Sequence, residues 1–167
     1  MNEPPRGFSH LTDTGEVHMV DVGEKEVTSR RATAEAIVVL SDELAGRLFS
    51  GELPKGDALA TVRLAGIMGA KRTAELVPLA HPMGLDSVEV IVEPHPRGAR
   101  IHGECSVRGR TGVEMEALTC VSVAALALYD MVKSFERGVT IGPVRLLSKE
   151  GGRSGRWEAA GGSLSDP

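Results

Sequence analysis

The sequence predicts an α+β fold in which helices cover one face of a largely antiparallel sheet. Residues 87–93 and 99–108 alternate between apolar and polar side chains, as two half-buried strands of a hairpin do. Other segments are rich in Ala and Leu and carry capping residues typical of helices. The chain has 167 residues, enough for about one domain that buries a core without metal or disulfide support.

Capping and breaking residues set the limits of each predicted element. Ser41 and Asp57 supply helix N-caps, Pro78 and Gly138 stop helices, and residues 95–98 form the turn of the hairpin. In chain order the prediction is strand 19–22, strand 31–40, a short helix from Ser41 that ends by Gly51, helix 58–76, strand 87–93, strand 99–108, helix 113–137 and strand 139–147. The ββαβ part of this order resembles a ferredoxin-like arrangement.

The chain is predicted to consist of one folded unit with looser ends. Residues 1–18 are polar and contain Pro and Gly, which predicts a flexible N-terminal segment. Residues 19–148 are expected to form a single α+β domain. Residues 149–167 form a Gly-rich, basic and partly flexible tail.

Composition excludes several classes of protein. Lys and Arg number 19 against 23 Asp and Glu, and the chain holds one Trp, one Tyr and three Phe, which disfavours nucleic-acid binding. Cys105 and Cys120 cannot form a four-ligand metal site and are interpreted as buried small hydrophobes. No apolar run approaches the ~18 residues that span a bilayer, and no signal peptide is visible at the start. We expect no membrane association and a cytoplasmic location.

Asp130 and Lys133 allow two interpretations of similar weight. Three residues apart on a helix, they form an ordinary exposed ion pair in the simpler interpretation. In the functional interpretation they emerge from the nearly all-apolar run 121–129, and burial couples the pair and shifts both pKa values. The sequence alone leaves both open.

The spacing of Glu116 and Asp130 constrains any shared site. Fourteen positions apart on one helix, they lie within ~40° of one face but ~21 Å apart along the axis. Either they serve different ends of a long ligand, or neighbouring subunits complete each other's sites.

Loop residues supply further candidates. His81 precedes Pro82 and is therefore held in an extended loop, although a lone His is more often structural than catalytic. Lys55 lies just before a helix N-terminus, a position that suits phosphate. The Gly-rich loops match neither a dinucleotide fingerprint nor a P-loop.

Several longer motifs occur in a fixed order along the chain. They are Met19-Val-Asp-Val22, Lys55-Gly-Asp57, Ala65-Gly-Ile-Met-Gly-Ala-Lys-Arg-Thr73, Pro78-Leu-Ala-His-Pro82, Thr111-Gly-Val-Glu-Met-Glu-Ala-Leu-Thr119, Tyr129-Asp-Met-Val-Lys133 and Gly142-Pro-Val-Arg-Leu-Leu147. Over residues 8–157 the chain resembles the cyclic pyranopterin monophosphate synthase family of molybdenum cofactor biosynthesis. The resemblance implies a lyase that converts a cyclised dihydro-GTP into cyclic pyranopterin monophosphate and diphosphate. It also implies a ferredoxin-like fold and a homohexamer, a trimer of dimers with active sites at subunit interfaces.

The resemblance also assigns roles to individual positions. It implies that Asp130 and Lys133 are the acid–base pair and that Lys55 is a second catalytic lysine. Substrate contacts are implied for Leu79, Ala80, His81, Met115 and Glu116, with Glu114 beside them. Basic positions implied to hold the triphosphate are Arg30, Lys71, Arg72, Lys149 and, in the tail, Arg153. No tightly bound cofactor and no dedicated metal site are expected, with Mg²⁺ only as a companion of the diphosphate.

Two departures from the family pattern motivate an alternative. Ala80 replaces a Cys of the family's Pro-Leu-Cys-His-Pro loop, and Glu150 adds an acid to the basic tail. The alternative is a non-catalytic nucleotide-binding or regulatory relative of the same fold. The presence of Asp130 and Lys133 argues against this alternative. An RNA-binding module is a third possibility, but strand 99–108 lacks aromatic platforms.

Overall fold

The computed structural model describes residues 14–160 of the chain. Over this range the sequence forms an α+β unit built from one sheet and a layer of helices. The elements are β1 (Thr28–Val39), α1 (Asp42–Ser50), α2 (Ala58–Lys71), α3 (Thr73–Leu76), β2 (Ser87–His95), β3 (Gly98–Gly109), α4 (Glu114–Val132), β4 (Thr140–Glu150) and β5 (Trp157–Glu158).

The sheet has the order β2-β3-β1-β4-β5, and every neighbouring pair is antiparallel. Without β5, the chain runs strand, helices, strand, strand, helix, strand, with β3 inserted between β1 and β2. This split βαβ connectivity is the ferredoxin-like arrangement, so the predicted fold class is confirmed. The predicted hairpin is also confirmed, because His95 pairs with Gly98 at the turn between β2 and β3.

The core lies between one face of the sheet and α4. Ala32, Ala34, Ala36 and Val38 alternate along β1 and are all fully buried. Small residues on α4 let that helix approach the sheet closely, and its buried members are Glu116, Ala117, Cys120, Val121, Ala124, Ala125, Leu128, Met131 and Val132. Cys105 and Cys120 belong to this core, as expected of small hydrophobes.

Helices α2 and α4 pack against each other through glycine. A Cβ atom built on Gly69 would lie 2.7 Å from the Cβ of Val123, closer than packed carbon atoms allow. Gly66 faces Ala124 and Cys120 in the same way, at 3.2 Å from the Ala124 Cβ. The missing side chains therefore set the distance between the two helices.

The predicted strand at 19–22 is wrong. In the structure this segment has no strand pairing, and Val17 forms only an isolated bridge. Asp21 accepts a hydrogen bond from the Gly23 amide at 2.8 Å, which bends the chain immediately afterwards. Val20 and Val22, on either side of Asp21, instead line a cavity.

Two predicted helices have different limits in the structure. The segment 58–76 is interrupted at Arg72, whose φ of −110° and ψ of 14° divide it into α2 and α3. The long helix ends at Val132 instead of 137, with Lys133 as its C-cap. Beyond it, Glu136 accepts a hydrogen bond from the Ser41 hydroxyl at 2.7 Å, so a contact with the start of α1 replaces further helix.

The last strands extend past their predicted limit. β4 continues to Glu150, and β5 adds a short antiparallel pairing in the segment assigned to the tail. The predicted flexible segment 1–18 lies mostly outside the described residues. The division of the chain at 18 and 148 remains a prediction.

α4 is long and apolar enough to cross a membrane by length and composition. Half of its most apolar stretch is buried inside the fold, as in the core helix of an ordinary domain. No membrane protein is indicated by this helix.

Candidate active site

Two adjoining cavities lie at the N-terminal end of α4. The larger has a volume of about 490 Å³ and collects residues from four separate parts of the chain. They are the segment before β1, the loop after α3, the loop and first turn of α4, and β4. Its lining consists of Val20, Val22, Lys25, Leu79, Ala80, His81, Met83, Thr111, Gly112, Glu114, Met115, Glu116 and Lys149.

His81 connects the loop after α3 with the segment before β1. Its Nε2 lies 2.8 Å from the main-chain oxygen of Val20. Pro82 follows it and restricts its backbone to extended conformations. The position of the His81 ring is therefore restrained by the extended backbone of its loop and by the contact of Nε2 with Val20.

Glu116 is the buried acid of the cavity, with only 4% of its surface exposed. Its pKa is raised from an ordinary 4.5 to about 7, because burial, together with the neighbouring Glu114 charge, outweighs a backbone hydrogen bond that lowers it. A carboxyl group with this pKa is half protonated at neutral pH. It can therefore both give and accept a proton there.

Glu114 is the second acid of the first turn, and it is paired. Lys149 on β4 places its Nζ 3.2 Å from a Glu114 carboxylate oxygen. Val113, the cap residue of α4, makes no side-chain capping bond, so first-turn amides of this helix lack that partner. The Lys149 ammonium and the uncapped first-turn amides are therefore hydrogen-bond donors beside Glu114 and Glu116.

The smaller cavity, of about 230 Å³, is rich in cationic side chains. It shares Lys25, Thr111, Gly112, Glu114 and Lys149 with the larger one, so the two are continuous. The cations around it are Lys25, Arg30, Arg110, Lys149 and Arg153, and the acids are Glu114 and Glu150. Opposed to two carboxylates, five cations favour an anionic ligand.

Arg30 organises the floor of this cationic cavity. Its guanidinium donates to the main-chain oxygens of Gly109 and Arg110, both at 3.2 Å. Gly152 crosses directly over it with a φ of +71°, and a Cβ there would collide with the guanidinium. The tail therefore lies against Arg30, which brings Arg153 to the cavity.

A third group of residues lies at the opposite end of α4. Lys133 places its Nζ 2.6 Å from the Asp130 carboxylate, and Lys55 donates at 2.7 Å to the main-chain oxygen of Asp130. That oxygen is one of the last four carbonyls of the helix, which have no partner within it. The Lys55 ammonium satisfies it at the negative end of the helix dipole.

Of the two interpretations of Asp130 and Lys133, the single chain shows the exposed ion pair and not the buried one. Their side chains are 62% and 53% exposed. The hydrogen bond and charge of Lys133 hold the pKa of Asp130 below its ordinary value, and the same contact raises the pKa of Lys133. The pair therefore stays ionised at neutral pH in one copy of the chain.

The structure divides the residues predicted from the sequence into three sets. Those that line the joined cavities are Arg30, Leu79, Ala80, His81, Glu114, Met115, Glu116, Lys149 and Arg153. Lys55, Asp130 and Lys133 form the cluster at the other end of α4, ~21 Å along the axis from Glu116. Lys71 and Arg72 are exposed at the end of α2 and line neither cavity.

Some cavity residues were not singled out from the sequence. Lys25 and Arg110 add two cations, and Val20 and Val22 supply an apolar wall. For the valines the signal was present, because they belong to the first ordered motif, which the strand prediction misinterpreted. Nothing distinguishes the two cations from surface residues in the sequence.

Fold and cavities together define a ferredoxin-like α+β protein with a cationic cavity beside a carboxyl group that titrates near neutrality. A model of the MoaC family matches residues 19–152, and the chain belongs to this family.

Curated proteins resemble the chain over most of its length. Proteins from Cereibacter sphaeroides and Methylobacterium nodulans are 51% and 54% identical to it over 156 and 154 residues. These matches cover 92% and 91% of this chain and 98% and 96% of the relatives. A protein from Chloroflexus aurantiacus is 49% identical over 160 residues, which cover 95% of this chain and 98% of the relative. Each of the three is named cyclic pyranopterin monophosphate synthase.

Proposed function

We propose that this protein is a lyase of molybdenum cofactor biosynthesis in the cytoplasm. It converts (8S)-3',8-cyclo-7,8-dihydroguanosine 5'-triphosphate into cyclic pyranopterin monophosphate and releases diphosphate. Membership of the MoaC family and relatives of about 50% identity with that synthase name support the proposal.

The joined cavities are the geometric observation that carries it. The substrate has a purine-derived ring system at one end and a triphosphate at the other. The larger cavity offers apolar walls, His81 and a near-neutral carboxyl group, while the smaller offers five cations. We assign the ring system to the former and the phosphates to the latter.

The cations have a specific task in this reaction. Formation of the cyclic phosphate expels diphosphate, whose charge develops as the bond to the remaining phosphate breaks. Lys25, Arg30, Arg110, Lys149 and Arg153 would stabilise that charge. Among residues 14–160 no group of three His, Cys, Asp or Glu side chains could hold a metal ion. We therefore propose that Mg²⁺ enters only as a companion of the diphosphate.

We further propose that the site is shared between copies of the chain. Ring opening and pyranopterin formation require several proton transfers, which we assign to Lys55, Asp130 and Lys133 together with Glu116. These three lie too far from the cavity of their own chain to reach one reacting atom. A homohexamer, a trimer of dimers, would bring one copy's cluster to another copy's cavity. Lys71 and Arg72 would add phosphate contacts from the neighbouring copy.

Contact with a second copy would also change the pKa values of the exposed pair, Asp130 and Lys133. Covered by a second copy, Asp130 and Lys133 lose water, and desolvation opposes the charged form of each group. This moves the pKa of Asp130 up and that of Lys133 down, toward neutrality. The exposed pair of the single chain is then one part of a site that contact with a second copy would complete.

A coupled assay tests the activity. The cyclised dihydro-GTP is generated by the partner radical enzyme, this protein is added, and the fluorescent oxidised pterin is measured together with diphosphate. We expect both products in equal amounts. Binding of substrate without either product would reject the lyase and favour the regulatory alternative, for which Ala80 and Glu150 would be the first residues to revert.

Mixed oligomers test the shared site. Lys133→Ala and His81→Ala are each expected to be inactive, but co-expression at equal levels should restore about a quarter of the sites in random oligomers. Each restored site takes its cluster from one variant and its cavity from the other. Inactive mixed oligomers, verified by mass spectrometry, would reject sharing while leaving the lyase assignment to the coupled assay.

A further inference from the structure

The imidazole of His81 has two nitrogens in different environments. Nε2 lies 2.8 Å from the Val20 main-chain oxygen. Nδ1 makes no hydrogen bond to any residue in the range 14–160 that the structure describes. The ring lies in the wall of the larger cavity, and Val20 lies in the same wall. One nitrogen therefore contacts the protein, and the other has no partner among the described residues.

A carbonyl oxygen can only accept a hydrogen bond, so the Nε2 atom must carry the hydrogen. A neutral imidazole has one N–H, and its other nitrogen then has a free lone pair. The protein's choice of partner for one nitrogen thus decides what the other can do. For His81 the choice leaves Nδ1 as a hydrogen-bond acceptor.

The Val20 carbonyl is itself held in position. The following turn is closed by a hydrogen bond from the Gly23 amide to Asp21 at 2.8 Å and by one from the Lys25 amide to Val22 at 3.1 Å. Beyond the turn the chain enters β1 in the middle of the sheet. These bonds restrain the turn that joins the Val20 carbonyl to β1, while Pro82 stiffens the loop that carries the imidazole.

We infer that the main-chain carbonyl of Val20 is a positioning group that holds His81 as the Nε2–H tautomer, so that Nδ1 accepts a hydrogen bond from an N–H or O–H donor of the ligand. Only the identity of the donor, on the purine-derived part of the substrate, rests on the proposed function. Ligands that lack a donor at this position are discriminated against, because the acceptor is left unpaired. The segment 19–22 acts as part of the site through its backbone.

Nitrogen-15 NMR of the free protein tests the tautomer without any substrate. The imidazole signals of His81 are assigned by their loss in His81→Gln and recorded at a pH where titration shows the ring to be neutral. We expect Nε2 to have the shift of a protonated nitrogen and Nδ1 that of an unprotonated one. The reverse pattern, or a fast-averaged mixture of both tautomers, would overturn the inference.

Two variants separate the tasks of the two nitrogens. His81→Gln keeps an N–H donor at the position of Nε2 and loses the acceptor, whereas His81→Asn keeps an acceptor near Nδ1 and loses the bond to Val20. We expect kcat/KM to fall about 100-fold in His81→Gln and only about 10-fold in His81→Asn, within the range of one lost hydrogen bond. Amide hydrogen exchange over 20–25 should rise in His81→Asn but not in His81→Gln.

The opposite order of activity would overturn the assignment of Nδ1 as ligand acceptor. If one variant is unfolded by circular dichroism, the NMR result on the unmodified protein still decides the tautomer. An inactive unmodified protein with the expected NMR pattern would reject the proposed function and leave the tautomer standing. The two failures are therefore distinguishable.

Discussion

The two ends of α4 carry acids in opposite electrostatic situations. At the N-terminal end Glu116 is buried, and burial raises its pKa to about 7. At the C-terminal end Asp130 is exposed beside Lys133, and the contact lowers its pKa. One helix therefore presents a carboxyl group that exchanges its proton near neutrality and another that stays ionised.

The helix dipole is too weak to account for the difference between the pKa shifts of Glu116 and Asp130. The dipole favours ionised acids at the N-terminus by about 0.3–1 kcal/mol, which acts against the observed shift of Glu116. The rise of its pKa from 4.5 to about 7 corresponds to about 3 kcal/mol of preference for the neutral form. Removal of water therefore outweighs the dipole. It follows that covering the C-terminal end would raise the pKa of Asp130, against the hydrogen bond and charge of Lys133 that lower it.

The largest effect on activity is expected from a substitution of Asp130 at the exposed C-terminal end of α4. Asp130→Asn should lower the turnover rate by about 10²–10⁴, the usual contribution of a general acid or base. Thermal stability should hardly change, because an exposed ion pair contributes little. Initial rates in the coupled assay and a thermal melt measure both.

The chain offers a matched control for that variant. Glu43 and Arg47 form another exposed helical ion pair, with 3.0 Å between charged atoms. Glu43→Gln should therefore leave turnover and melting temperature unchanged. Equal rates in the two variants would contradict a catalytic role of Asp130.

The buried end should be recognised by its effect on stability with pH. The folded state holds the Glu116 proton more tightly than the unfolded state, so this contribution to stability is complete below pH 4.5 and is lost as pH rises through about 7. Glu116→Gln should remove a pH-dependent loss of about 3 kcal/mol from the free energy of unfolding. Urea denaturation at several pH values measures it.

Glu114→Gln is the control on the same helical turn. Its carboxylate is paired with Lys149, so this variant should keep most of the pH dependence. A flat profile in the control, or an unchanged one in Glu116→Gln, would show that another group is responsible.

A substitution in the contact between α2 and α4 should change the position of the Lys55 loop relative to α4. Gly69→Ala places a methyl group 2.7 Å from the Val123 Cβ and should destabilise the fold by about 2 kcal/mol through overpacking. Pushed away from α4, α2 carries the Lys55 loop with it, so kcat should fall more than substrate affinity. Urea denaturation and steady-state kinetics provide the two readouts.

Gly46→Ala, in α1, is the corresponding helical substitution with open space around the new methyl group. It should stabilise the protein by up to about 1 kcal/mol through helix propensity alone. Equal destabilisation by both alanines would refute the close-packing explanation.

The smallest effect is expected at a single side chain of the smaller, cationic cavity. Lys25→Ala should weaken binding of inorganic triphosphate about 5-fold, because four other cations remain and water screens the site. Calorimetric titration at two salt concentrations measures this, with the exposed Arg63→Ala as control. A loss of equal size in Arg63→Ala would indicate a nonspecific charge effect.

Local patterns sufficed for most of the fold. The alternation of β2 and β3 and the caps Ser41 and Asp57 are determined by near neighbours, and both caps accept the expected amide hydrogen bond in the structure. The end of α4 was not predictable in this way. Nothing between Lys133 and Gly138 breaks a helix, and it is the contacts of Glu136 with Ser41 and of Phe135 with Arg47 that hold this segment otherwise.

The candidate site was predictable to the extent that motifs mark it. His81, Glu116 and Lys149, for which the resemblance implies substrate contacts, line the larger cavity, while their roles stay predictions. The apolar run before Asp130 left its burial open, and in the structure position 130 lies on the outer side of the helix, where one chain offers no cover. Lys25 and Arg110 reach the cavity only through the path of the loops, which no local pattern encodes.

The cavities take their walls from nearly the whole length of the described chain, from Val20 to Ser154. During synthesis on the ribosome, a nascent chain that already contains the hairpin and α4 still lacks Lys149 and Arg153. Both cavities can therefore be complete only after β4 and the segment that follows it have emerged. A truncated chain that ends before β4 would lack both residues and therefore two of the five cations of the smaller cavity.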